Sequence, residues 1–138
     1  RNRKDLLVNY LIFNALKSNY LEIFEPHFRR NFIHIRDISS TFCYCLNKFR
    51  KLNNNIYNVG LSNANLTKLQ LAKLISKHIK GTKVKILKNK KDPDKRDYYV
   101  SNAKIEKKGF KAKISLEFGI AELSNMFLRR KEKIINNY

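Results

Sequence analysis

The chain reads as a mixed α/β or α+β domain: a small sheet with packed helices. Three observations predict this. Short apolar runs of period two alternate with longer stretches of helical period. Turn and stop residues separate them, notably Pro26, Gly60, Gly81 and Gly109. Hydrophobic residues make up 43% of the 138 positions and aromatics 12%, which argues for a packed globule and against disorder. A chain this long buries roughly two-thirds of its unfolded surface. The sheet is too small for a doubly wound fold by itself.

Residues 6–16 are apolar apart from Asn9 and Asn14, so a helix here wants cover on more than one side. That is awkward in a small domain and points to a missing neighbour, with marginal stability or self-association expected. Residues 20–24 form a short strand that Glu25-Pro26-His27 breaks. Phe32, His34 and Arg36 alternate with Ile33 and Ile35, the pattern of a strand with one apolar face. Asp37 then fits a helix N-cap, and the helix runs to about Phe49. Residues 56–59 read as a second strand closed by Gly60, where glycine permits positive φ.

Thr67 and Gln70 match a capping box. After them Leu71, Leu74, Ile75 and Ile79 share one helix face, while Lys73, Lys77 and Lys80 point away, and Gly81 stops the helix. Val84 and Ile86 with Lys85 between them make a strand with a basic face. Residues 88–96 form a charged loop, and residues 101–108 a short helix. Ser115 caps a last helix whose buried stripe is Ile120, Leu123, Phe127 and Leu128. The basic tail from Arg129 is expected to fray.

The formal net charge is +19. A polyanionic partner would explain it, and so would a composition rich in Lys, Asn and Ile, in which lysine fills solvated positions. No apolar run is long enough for a membrane-spanning helix. Arg rather than Met stands first with no signal-peptide pattern after it, which fits a chain that begins in mid-protein, as it would a processed terminus. Cys43 and Cys45 point in different directions on a helix. They are expected as buried free thiols in a reducing, cytoplasmic setting.

Several motifs recur in a telling order. The first is Arg30-Asn31-Phe32-Ile33-His34-Ile35-Arg36-Asp37-Ile38. Tyr57-Asn58-Val59-Gly60 follows, and then the run from Asp92-Pro93-Asp94-Lys95-Arg96-Asp97-Tyr98-Tyr99 to Ile105. With Arg3-Lys4-Asp5-Leu6-Leu7-Val8-Asn9, Phe24-Glu25, Gly109-Phe110 and Ile114-Ser115-Leu116-Glu117, they span residues 1–128. The set resembles the C-terminal, substrate-binding half of the extended short-chain dehydrogenase/reductases, the NAD(P)-dependent epimerases and dehydratases of nucleotide sugars. The resemblance implies an α/β fragment, α+β-like in itself, that lacks the Rossmann half. Residues 1–128 would be the nucleotide-sugar-binding portion, and residues 129–138 a basic tail.

By that resemblance Arg30 holds the pyrophosphate, with a planar fork of donors suited to phosphate oxygens. Arg96, and Lys91 as a point charge in place of the usual arginine, would reach the same phosphates. Phe24 and Glu25 would line the base pocket, although Phe24 also suits ordinary core. Asn9 would contact substrate. NAD or NADP would belong to the complete enzyme, with none bound by this chain alone. The implied partners are a nucleotide-diphosphate sugar, the missing Rossmann half and a second copy in a homodimer.

Tyr44 and Lys48 have the Tyr-x-x-x-Lys spacing used for catalysis in that superfamily, but they fall in the substrate half and read as coincidence. The four glycines form no dinucleotide fingerprint. His34 reads as a core histidine. No catalytic residue is assigned, and the isolated chain is expected to be inactive. The alternative is a stand-alone basic module for nucleic acid or another polyanion. It is the weaker reading, because no aromatics interleave the basic run over residues 83–96 to stack bases.

Overall fold

The computed structural model describes residue 3, residues 5–88 and residues 96–135, with side chains to residue 129. The elements run α1 (Leu7–Ser18), β1 (Tyr20–Ile23), β2 (Arg29–Asn31), α2 (Ile35–Asn47), α3 (Phe49–Leu52), β3 (Asn65–Thr67), α4 (Lys68–His78), β4 (Lys83–Ile86), α5 (Ala103–Glu106) and α6 (Leu116–Ile135). The fold is mixed α/β, with two separate two-stranded sheets among the described residues. In one, β1 pairs parallel with β4, Tyr20 opposite Lys83 and Ile23 opposite Ile86. In the other, β2 pairs antiparallel with β3, Arg29 opposite Thr67 and Asn31 opposite Asn65.

The core gathers Leu11, Ile12 and Ala15 of α1, Leu21 and Ile23 of β1, Leu71, Ala72 and Ile75 of α4, and Ile120 and Phe127 of α6. Helix α1 therefore finds its cover within the chain, against β1, α4 and α6. Its apolar residues reach round the helix because three elements pack on it. Phe32 and Leu116 link this core to a smaller cluster of Leu61, Ala64 and Ala112. The capping box at α4 is complete: Thr67 Oγ1 accepts from the Gln70 amide at 3.1 Å, and Gln70 Oε1 accepts from the Thr67 amide at 2.8 Å. Gly81 ends the segment after α4 at φ +82°, where a side chain would be strained.

Five expectations from sequence are corrected. The strand expected across residues 32–36 lies earlier, at β2, because His34 already caps α2 by accepting the Arg36 amide at Nδ1. Asp37 is thus not an N-cap. It sits inside the first turn of α2, buried, and accepts the amides of Lys113 (3.1 Å) and Ile114 (2.9 Å). Residues 56–59 form no strand, since β2 takes β3 as its partner and Phe32 bonds to Leu61 and Ala64. Gly60 is needed for close approach rather than for positive φ, because a Cβ there would collide with the Asn31 side chain. Helix α6 runs to Ile135, and Leu128 is exposed rather than part of the buried stripe.

Candidate functional site

The ribbon of β2 and β3 positions the expected site. Arg30 sits in the middle of β2, opposite Leu66, and only 9% of it is exposed. Its Nη1 donates to the carbonyls of Arg29, at 2.8 Å, and of Arg96. The guanidinium carbon lies 5.2 Å from the centre of the Tyr98 ring, a cation–π arrangement. Residues 30 and 96 are thus brought side by side although 66 positions separate them. Asn65 of β3 fixes the same segment from the other strand. Its Oδ1 accepts the Val100 amide at 2.9 Å, and its Nδ2 donates to the Val100 carbonyl at 3.0 Å.

Arg29 faces a different partner. Its amide donates to Asp97 Oδ1 at 2.8 Å and its Nε to the same oxygen at 3.1 Å. The Arg29 guanidinium holds the Asp97 carboxyl below the usual carboxylate range, and Asp97 in turn raises Arg29. Both side chains are substantially solvated, so this pair orders the segment more than it stabilises the fold.

One residue of the site was missed in the sequence. Lys68, at the first position of α4, is only 4% exposed. Its Nζ donates to the Phe24 carbonyl at 3.2 Å and stands 5.0 Å from the Phe24 ring centre and 5.4 Å from that of Phe28. The Lys68 amide bonds to the Phe28 carbonyl at 3.0 Å, which carries the β2–β3 pairing one step beyond the ladder. Side chains two apart on a strand share a face, and so do directly paired residues. Phe28, Lys68, Arg30 and Leu66 therefore line one face of the ribbon. In the sequence Lys68 belongs to no pattern that marks it. Only the two rings, 40 and 44 positions earlier, put it inside.

The remaining expected residues are spread more widely. Glu25 occupies a turn at φ +49°, and its carbonyl accepts the Phe28 amide. Asn9 lies on α1, and its amide donates to the Arg3 carbonyl at 2.8 Å. Among the described residues no hydrogen bond or ring contact joins Asn9 to the Arg30 cluster. Lys91 lies outside the described residues. The Tyr44 hydroxyl donates to the Lys108 carbonyl, and its ring packs on Phe110 at 5.4 Å between centres. His34 completes a surface link to α6: its Nε2 meets Glu122 at 2.8 Å, and Arg36 pairs with the other oxygen of Glu122. Cys43 and Cys45 are free, the first exposed and the second half-buried, which corrects the expectation of buried thiols.

An open groove of about 200 Å³ lies between β3, α4 and the start of α6, lined by Asn63, Leu66, Gln70, Leu116 and Glu117. It is lined by a carboxylate and no cation, and does not suit a phosphate. Among the described residues no group of three or more His, Cys, Asp or Glu is arranged to hold a metal, and no helix is long and apolar enough to cross a membrane. The described residues of the parallel pair do not form a glycine-rich dinucleotide turn. In the parallel pair, β1 runs into Phe24-Glu25-Pro26 and β4 into Leu87-Lys88, where a dinucleotide turn needs glycines for close approach of the pyrophosphate.

These features define a mixed α/β domain with a basic, aromatic-flanked ribbon at one side of a helical core. The same fold occurs as part of larger NAD(P)-dependent enzymes. The chain superposes on RMD from Pseudomonas aeruginosa, solved with NADPH, with a TM-score of 0.73 at 16% identity, over 94% of this chain and 44% of that one. It matches dTDP-glucose 4,6-dehydratase from Bacillus anthracis, solved with NAD, with a TM-score of 0.72 at 19% identity, over 95% and 42%. For the UDP-Glc/GlcNAc 4-epimerase of Campylobacter jejuni the values are 0.66, 21%, 94% and 42%. The chain has the fold of one portion of these dehydratases, epimerases and reductases and spans less than half their length. No protein-family model matches it.

Proposed function

We propose that this chain is the C-terminal, nucleotide-sugar-binding portion of an NAD(P)-dependent sugar epimerase or dehydratase. What supports this most is the convergence of Arg30 and residue 96 on the β2–β3 ribbon, beside Tyr98 and two register positions from the Phe24–Lys68–Phe28 cluster. A nucleoside diphosphate needs this combination: cations for the phosphates and flat apolar walls for the base. The fold shared with enzymes named for dTDP-glucose and UDP-Glc points the same way.

In this reading Arg30 and Arg96, with Lys91, neutralise the diphosphate. Phe24, with Glu25 in the adjoining turn, bounds the base, and Lys68 supports the Phe24 wall. Asn9 contributes from α1 once substrate is bound. Binding energy from the nucleotide, remote from the reacting carbon, positions the sugar. The cofactor and the groups that exchange protons and hydride belong to the other portion, so this chain by itself binds without turnover.

Calorimetric titration with UDP, dTDP and GDP tests the proposal. Arg30→Gln should weaken binding roughly 10- to 100-fold, the loss of one or two charge-assisted hydrogen bonds. Failure of all three nucleotides, with duplex DNA binding that collapses between low and moderate salt, would replace it with the polyanion reading.

A further inference from the structure

We propose that Asn65 is a positioning residue for the diphosphate site: it clasps Val100 and so holds residues 96–98 against Arg30. The inference rests on the function proposed above, and it concerns a side chain that itself touches no ligand. Residues 96–102 belong to no helix or strand, so no backbone ladder keeps Arg96 and Tyr98 beside Arg30. Side chains have to do it.

Four fastenings tie this segment down, and they are unequal. Arg29 on β2 holds Asp97, but the two side chains are 47% and 35% exposed, so water and salt weaken the pair. Arg30 donates to the Arg96 carbonyl and stands against the Tyr98 ring. A guanidinium that has to serve phosphate oxygens is a poor fixed anchor for its own neighbours. Asn102, only 3% exposed, donates to Ser62 Oγ at 3.2 Å and secures the far end, where α5 begins. Between these ends Asn65 grips both backbone groups of Val100 with one side chain: Oδ1 accepts the amide at 2.9 Å and Nδ2 donates to the carbonyl at 3.0 Å. That pair is neutral and part-buried, so neither salt nor acid loosens it as they loosen the Arg29–Asp97 pair.

Two further observations separate Asn65 from the groups that would meet a ligand. It is paired with Asn31, one register step from the Arg30–Leu66 pair, so it stands on the opposite face of the ribbon. Its amide is also committed, because Nδ2 reaches the Ser62 carbonyl at 3.5 Å besides the one of Val100. Asn65 therefore acts on the site through residues 96 and 98. Asparagine suits this task because its amide offers a donor and an acceptor together, as a peptide group does. Leucine of similar size offers neither, and aspartate offers acceptors alone.

The test pairs calorimetry with UDP, dTDP and GDP with hydrogen exchange read by mass spectrometry, both on the full 138-residue chain. Asn65→Leu should speed exchange over residues 97–101 while α1 and α4 stay protected, and should weaken nucleotide binding roughly tenfold, the loss of two modest hydrogen bonds. A double-variant cycle shows the route. Asn65→Leu with Arg96→Gln should bind little worse than the weaker single variant, whereas Asn65→Leu with Phe24→Leu should multiply the two losses. A merely structural asparagine would multiply with both, and that result overturns the proposal. If Asn65→Leu loses its helical circular dichroism, Asn65→Asp, which keeps the acceptor and drops the donor, is read in the same way. Unchanged affinity in the variant overturns the clasp and leaves the substrate reading standing. A wild-type chain that binds none of the three nucleotides overturns the substrate reading, and exchange then decides the clasp alone: faster exchange over residues 97–101 keeps it, and unchanged exchange overturns it.

Discussion

Helices α1 and α2 both carry large apolar side chains, α1 the more, and these end on opposite sides of the solvent boundary. On α1, Leu11, Ile12 and Ala15 are fully enclosed by β1, α4 and α6. On α2, Ile35, Phe42 and Leu46 face water, while the buried positions are Asp37 and Thr41. An apolar pattern tells a helix which face to cover, and something else decides where the cover comes from. For α1 it comes from this chain. For α2 the inward face is anchored by polar bonds, and the apolar face is left to solvent.

That contrast sets the order of expected effects. Ile75→Ala, at the centre of the cover over α1, should cost about 3 kcal/mol through lost burial and a residual cavity, and lower the melting midpoint by about 10 °C. Asp37→Ala attacks the anchor of α2. It leaves the amides of Lys113 and Ile114 without their acceptor, a cost of about 2 kcal/mol in denaturant titration. An anchor that proved dispensable would break the proposed difference between the two helices. Thr67→Ala removes half of the α4 capping box and should cost about 1 kcal/mol by the same assay.

Leu46→Ser on the outer face should change the stability of the isolated chain by less than about 0.5 kcal/mol. A large loss there would show that the stripe is cover for the chain's own core. The smallest effect belongs to the exposed Arg29–Asp97 pair. Asp97 has a lowered folded pKa, so its contribution is present above the unfolded value of about 4 and fades as pH falls through the folded one. The small stability difference between wild type and Asp97→Asn should therefore be constant near neutral pH and vanish in strong acid.

Much of the fold was legible because it rests on local rules. The helical period of residues 71–79, the Thr67–Gln70 box and the Gly81 stop each act within a few positions, and the structure contains all three. Arg30 was singled out by its motif, and Tyr98 and Arg96 lay in another. The Arg30 bond to the Arg96 carbonyl joins the two. Errors fell where a residue's surroundings come from far along the chain. Asp37 looked like a cap because its acceptors' partners, residues 113 and 114, are invisible at short range. Lys68 carried no signal in the sequence because the rings of Phe24 and Phe28 are brought to it by the β2–β3 pairing. Residues 56–59 read as a strand but join no ladder among the described residues, and the Ile56 carbonyl instead accepts from Lys104 Nζ.

By itself the sequence determined which segments coil, where α4 begins and stops, and that cations and aromatics are present in its motifs. Those properties follow from backbone preference and side-chain period, which act over one or two turns. Only the tertiary structure decided that residues 30 and 96 meet, that Lys68 is enclosed, and that α1 is covered while α2 presents its apolar side to water. Each of these depends on contacts tens of residues apart, and their free energy exists only once the chain has closed on itself.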